Sequence, residues 1–327
     1  MSILTDIEIE HQNPELYKSL HPLLRSKSEH LQVYLEKVAC KIAISGTSTQ
    51  AHCYFIALDG NRRPRVKDFA RFLAERIVDF AIPRSEITRA LNEAHDSGSA
   101  APTSKLNMKA RKLFTKLPKS GEGGEVLLSL LAEAFLDIPQ LFTKMVLKTN
   151  SEMHVHGSDG IHAGVTGNGG LALYWGESKL YQDPAAGVRK CFESLSPFLL
   201  DDGGSDGIQE RDLQLMRDGL SIDDPNLLSA LKRFLDPDDP MFNNMEYRGL
   251  CLVGFDSDSY PTSPNSKEVH EVKQAVEKMF ERNKIQIQTR VKKEKIENFI
   301  IEIFCLPFPS VEKFRKAFRN ELGLNNE

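Results

Sequence analysis

Apolar residues along this chain recur with two periods. From Val66 to Phe80 they fall at Val66, Phe69, Ala70, Leu73, Ile77 and Phe80, the spacing of one helical face. Residues 125–136 form a second, strongly apolar helix, entered through Gly121-Glu122-Gly123-Gly124. Short apolar runs at 40–44, 52–58, 144–149, 160–166, 171–179, 248–255 and 299–306 read as strands. Gly167-Asn168-Gly169-Gly170 is a tight turn of the kind that joins antiparallel strands. Asp183-Pro184 starts a helix whose apolar face is Val188, Cys191, Phe192, Leu195, Phe198 and Leu199, because Asp caps free amides and Pro fits the first helical position. Further helices are expected in pieces over 213–235 and over 267–280 and 311–322, and residues 1–30 read as a loose helix or arm. The order around the third to sixth strands predicts an α/β fold with a mixed central sheet flanked by helices. Residues 94–106, AHDSGSAAPTSKL, read as a linker. They divide a 1–104 N-terminal α/β region from a core domain over 105–327.

Composition narrows the class. With 327 residues, 40% hydrophobic and 27% charged, the chain is ordinary for a soluble globular protein. No apolar run reaches the roughly 20 residues of a membrane span, and MSILTDIEIEHQ has no basic flank or apolar core of a secretory signal. Five scattered cysteines without a CxxC are expected to be reduced core thiols in a cytoplasmic protein. The net charge of -4 excludes a dedicated polyanion binder, but the charge is uneven. Lys105, Lys109, Arg111, Lys112, Lys116 and Lys119 form a run without an acid, suited to guiding phosphates, while 201–246 is dominated by aspartates.

The candidate chemistry lies in HGSDGIHAGVTGNGGLALYWGESKLYQD. Residues two apart on a strand share a face, so Glu177 and Lys179 continue the face of Leu171, Leu173 and Trp175. Charges that extend an apolar face incur desolvation, and this pair is therefore a candidate for chemistry. Asp159 sits at the start of the partner strand. Phosphodiester hydrolysis needs an activated water and neutralised charge, and a divalent ion held by one or two carboxylates supplies both. Asp159 and Glu177 are the expected ligands for Mg²⁺ or Mn²⁺, with the Ser178 carbonyl as a further donor. Lys179 is expected to orient or deprotonate the water or to stabilise the pentavalent charge. Burial beside a metal can lower a lysine's pKa, which a base role would require. Glu125, at the head of the apolar helix, aligns with Leu128, Ala132 and Phe135 and supports the site, although acids favour helix N-termini for the dipole alone. His154 and His156 alternate before Asp159 but lack a third zinc ligand, and His162 is read as standing behind the metal-binding Asp or on the surface. Trp175 and Tyr174 are read as packing, and Gln182 and Arg189 as candidate backbone contacts.

Gly157-Ser158-Asp159-Gly160 followed by Gly176-Glu177-Ser178-Lys179 resembles the PD-(D/E)xK nuclease superfamily, with Glu125 in the place of the acid on its first core helix. GEGGEVLL, HGSDGIHA and LYWGESKLYQD together resemble the HamA family of the Hachiman bacterial anti-phage defence system, over about residues 40–310. Ser158 and Gly160 flank Asp159 where the superfamily motif has a proline. The resemblance implies a restriction-endonuclease-like core, a Mg²⁺-dependent DNA endonuclease, and a HamB-like helicase partner that restrains it. The alternatives are a non-catalytic regulatory subunit docking on a helicase through 201–246, and a metal-dependent phosphatase for small molecules.

Overall fold

The computed structural model describes residues 14–148, 157–201 and 207–324. His154 and His156, part of the expected arm over residues 1–30, and two aspartates of the acidic region, Asp202 and Asp206, lie outside the described residues. In chain order the helices and strands are α1 (Pro14–Leu20), α2 (Ser28–Gln32), β1 (Leu35–Ala43), β2 (Thr49–Ile56), α3 (Val66–Ala74), α4 (Ile77–Ala81), α5 (Arg84–Ser97) and α6 (Ala101–Leu113). There follow α7 (Glu122–Leu136), β3 (Gln140–Phe142), β4 (Gly160–Val165), β5 (Leu171–Tyr181), α8 (Pro184–Leu200), α9 (Ile208–Gly219) and α10 (Pro225–Leu235). The last are β6 (Met245–Asp256), α11 (Val269–Lys293), β7 (Ile301–Phe308) and α12 (Val311–Glu321).

Seven strands make one mixed sheet in the order β1-β2-β7-β6-β5-β4-β3. β2, β7, β6 and β5 run parallel, and β1, β4 and β3 are antiparallel to their neighbours. The parallel strands are buried on both faces and read as continuous apolar runs, as in LVGF of β6 and IFCLPF of β7. Thus β1 and β2 extend the same sheet that carries β5. Helix α7 covers one face of β5. A Cβ at Gly124 would lie 3.1 Å from both Ser178 Oγ and Leu180 Cγ, so a glycine there lets the helix approach closely. Helices α12 and α3 share that side through Phe308, Phe314 and Phe69. On the other face α8 packs under β5 and β6, with the Trp175 ring stacked on Phe198 at 6.4 Å, and α11 lies beyond it.

Three sequence expectations need correction. The apolar stripe from Val66 to Phe80 is two helices, interrupted at Glu75-Arg76. Residues 94–106 are no linker: they form the end of α5 and the start of α6, turned by Gly98 in the left-handed conformation. Ala is a strong helix former and Ser and Thr are compatible with helix, and Pro102 sits in the first turn, where proline is tolerated. Of the strand expected over 144–149, Thr149 lies outside the described residues and 144–148 are not a strand. Lys144–Leu147 is a 3-10 turn whose Thr143 hydroxyl accepts the Met145 N–H at 3.3 Å, after the short β3.

Candidate active site

The antiparallel ladder of β4 and β5 runs from Val165↔Leu171 to Gly160↔Gly176 and stops there. Beyond Gly176, among the described residues, β5 is paired only to β6. Asp159 stands at this parting: its N–H donates to the Gly176 carbonyl at 2.9 Å, and its Oδ2 accepts the Ser178 N–H at 2.8 Å. A carboxylate thus takes the place of the missing ladder acceptor. The N–H and C=O of one strand residue point to the same side, so the Ser178 carbonyl faces the Asp159 edge as well.

Charged side chains surround this opening. Lys179 Nζ donates to Glu177 Oε2 at 2.7 Å, as residues two apart on one face should allow. Lys144 Nζ bridges Asp159 Oδ1 at 2.7 Å and Glu125 Oε1 at 3.2 Å. Lys148 Nζ binds Glu122 Oε1 at 2.6 Å one turn before Glu125. Asp159, Glu177, Glu125 and Ser178 are all buried. Among the described residues Glu125 Oε2 and Ser178 Oγ are buried without a hydrogen-bond partner, which is costly unless another group meets them.

The electrostatics separate the acids. Burial, then the charge of Asp159, pushes Glu125 up to about 8 and Glu177 up to about 7. Burial also opposes the charge on Asp159, but Lys144 and then Lys179 outweigh it and hold this carboxyl below its ordinary value. Burial opposes the ammonium of Lys179, yet Glu177 and then Asp159 raise its pKa above the ordinary value, the direction opposite to the lowering a base role would require. Lys144 is likewise raised, Asp159 and Glu125 outweighing burial.

The five residues singled out from the sequence are therefore gathered at one place. Two contributors were missed. Lys144 lies in an apolar run read as a strand; its signal was a cation at one end of Met145-Val146-Leu147, with Lys148 at the other. Asp212 is buried on α9, and its Oδ2 accepts the Ser158 N–H at 3.2 Å. It holds the turn before Asp159, where Gly157 has φ of +145°, a conformation that favours glycine. In sequence it was one acid among many. Other acids of that region are caps: Asp224 accepts from Asn226 and Leu227, and Asp239 from Met241. His162 is buried, its Nδ1 3.4 Å from the Ile138 carbonyl, so the surface alternative is corrected. Trp175 is fully buried and Tyr174 bonds Arg248 at 2.8 Å, whereas Gln182 and Arg189 are exposed on the surface.

The donor types suit a hard divalent ion: carboxylates and a backbone carbonyl are oxygen ligands, and among the described residues Glu125 Oε2 lacks a hydrogen-bond partner. Among the described residues no three His, Cys, Asp or Glu side chains are drawn into a ready metal cage. Lysines stand between the acids instead.

A mixed sheet flanked by helices, opening onto a buried cluster of acids and lysines at a strand parting, defines an α/β protein with a nuclease-like core. The HamA family model matches residues 32–322, and the chain belongs to the HamA family. Membership points to Hachiman anti-phage defence. No curated protein matches the chain. Among the described residues no helix is long and apolar enough to cross a membrane.

Proposed function

We propose that this chain is a metal-dependent DNA endonuclease, the effector of a Hachiman defence complex, held in check by a helicase subunit. The observation that carries the reading is the meeting of the Asp159 carboxylate, the Ser178 backbone and the Glu177–Lys179 pair where β4 and β5 part. Asp159, Glu177 and the Ser178 carbonyl would hold Mg²⁺ or Mn²⁺, with Glu125 in support. The ion would supply an acidified water and neutralise charge on the phosphoryl oxygens. Lys179, kept charged by Glu177, stabilises the negative charge that builds at phosphorus and orients the attacking water. Exposed Lys105, Lys112, Lys116 and Lys119 precede α7, whose first turn carries Glu125, and can draw a phosphate backbone toward the cluster. The helicase partner rests on family membership.

Plasmid cleavage with Mg²⁺ or Mn²⁺ tests this. Glu177→Gln and Lys179→Met should each lose about 10²–10³-fold in rate, with circular dichroism unchanged. Cutting by both variants at the wild-type rate would place the chemistry elsewhere. Wild-type cutting by the chain alone that added helicase suppresses identifies the restraint, whereas cutting only with helicase and ATP would make the helicase an activator. Helicase binding with no cutting under any condition assigns a regulatory subunit.

A further inference from the structure

Four of the five cysteines are buried; Cys40, on the edge strand β1, is half-buried and has ordered partners. Its Sγ lies 3.3 Å from His52 Nδ1, and His52 Nε2 lies 2.6 Å from Glu302 Oε2. The three come from β1, β2 and β7, neighbouring strands of one sheet. Their meeting depends on an irregularity. The register runs Ala39↔Cys53 and then Ile42↔Ala51, so Cys40 and Lys41 together oppose His52. Lys41 takes φ of +52°, uncommon for a residue with a side chain. A bulge of this kind re-aims a side chain and is over-represented beside active sites.

The hydrogen bonds define the ring's state. The Lys41 N–H also points at Nδ1, at 3.3 Å, so Nδ1 is the acceptor of the neutral imidazole and Nε2 carries the hydrogen given to Glu302. His52 is fully buried and stacks on Phe304 at 4.8 Å, which fixes the ring plane. Tyr54 reaches Cys40 Sγ at 4.0 Å. Burial disfavours a charged His52, but Cys40 and Glu302 raise it above its ordinary value, and the same contact with His52 lowers Cys40. Besides these, Lys37 on β1 is the charge acting on Cys40. Lys41 and Glu302 line a cavity of about 550 Å³ at this end of the sheet. Phe135, in the last turn of α7, stacks on Tyr54 at 4.6 Å. Ten residues of helix, about 15 Å, separate it from Glu125.

We propose that Cys40, activated by His52 and oriented through Glu302, is a nucleophilic thiol that reacts with small hydroperoxides to give a sulfenic acid. In this step the thiol proton passes to His52 Nδ1, and the thiolate attacks the terminal oxygen of the hydroperoxide. The O–O bond breaks, and sulfur is oxidised by two electrons to S–OH. The leaving oxygen is reduced, takes the proton from Nδ1, and departs as water or an alcohol. His52 is the positioning base, and Glu302 holds its tautomer. None of the groups belongs to the cluster around Asp159, so the assignment stands apart from the nuclease reading.

Iodoacetamide labelling of the full chain at pH 6.5, read by mass spectrometry, tests the thiol. Cys40 should react about ten-fold faster than free cysteine, which is only about 1% thiolate there, while Cys53, Cys191, Cys251 and Cys305 stay protected. His52→Gln should bring Cys40 back to the free-cysteine rate, and Glu302→Gln should do so in part; protection of the other four reports an intact fold. Hydrogen peroxide followed by a dimedone probe should mark Cys40 in the wild type and nothing in Cys40→Ser. Labelling of Cys40 at the free-cysteine rate, or a rate that His52→Gln leaves unchanged, overturns the activated thiol. Fast alkylation without dimedone capture overturns the hydroperoxide step.

Discussion

The two halves of β5 share one backbone and hold opposite contents. From Leu171 to Gly176 the strand is paired on both edges, and its α8 face is Leu171, Leu173 and Trp175. From Glu177 to Tyr181 it is paired, among the described residues, on one edge only, and the same face carries Glu177 and Lys179. Both halves are largely buried, so water access does not account for the difference. The ladder accounts for it. Where β4 leaves, the N–H of Ser178 is released to a carboxylate, and lysines from β5 and from the 3-10 turn complete the neutralisation. A buried charge needs donors that are not already spent, and a strand parting is where a sheet provides them.

Changes to the doubly paired half should be felt as stability. Trp175→Ala removes a fully buried ring packed on Phe198 and Tyr247 and should cost about 3–5 kcal/mol in urea unfolding. A much smaller loss would mean that this half is not the packed one.

His162, paired with Tyr174 across the same ladder, gives the next effect. Burial lowers it to about 4 from 6.5. The unfolded chain therefore binds the extra proton between these values, and stability is lost as pH falls from 6.5 toward 4. The loss should reach about 3 kcal/mol, and His162→Gln should flatten the acid limb of a melting-temperature series. An unchanged slope would assign acid sensitivity to other groups.

Asp212→Ala strands the Ser158 N–H behind the charged half. It should cost about 1–3 kcal/mol and weaken Mn²⁺ binding about ten-fold, measured by calorimetry. Loss of stability with Mn²⁺ binding intact would make the contact purely structural.

The smallest effect is in protons. Glu125 at about 8 and Glu177 at about 7 are raised carboxyls. The folded chain binds more protons than the unfolded one above pH 4.5, so their contribution to metal-free stability falls as pH rises through 7 to 8. A divalent ion requires the charged forms, so binding at pH 7 should release about one proton and strengthen as pH rises. Calorimetry in buffers of different ionisation enthalpy reads this directly, and a release of zero would remove the two acids from the ion's surroundings.

Period and turn chemistry made much of this legible in advance. Asp183-Pro184 starts α8, with Asp183 accepting the Ala186 N–H at 2.8 Å, and the Gly167–Gly170 turn joins β4 to β5 as read. Glu177 and Lys179 stand on one face because a strand has a period of two. What the pattern could not give was long-range. Lys144 reaches Asp159 only through the turn after β3, and nothing in TKMVLK separates a 3-10 turn from a strand. The charge state of Lys179 depended on having Glu177 at 2.7 Å rather than a metal alone. Asp212 gains its meaning from Ser158, 54 positions away.

The parallel pairing of β2 with β7 ties residues 49–53 to 301–305. During synthesis the acid–lysine cluster emerges long before β7, whereas the β1–β2 hairpin has no berth in the sheet until that strand leaves the ribosome. The architecture therefore completes late, and a nascent chain lacking β7 carries its reactive side chains on an unfinished scaffold.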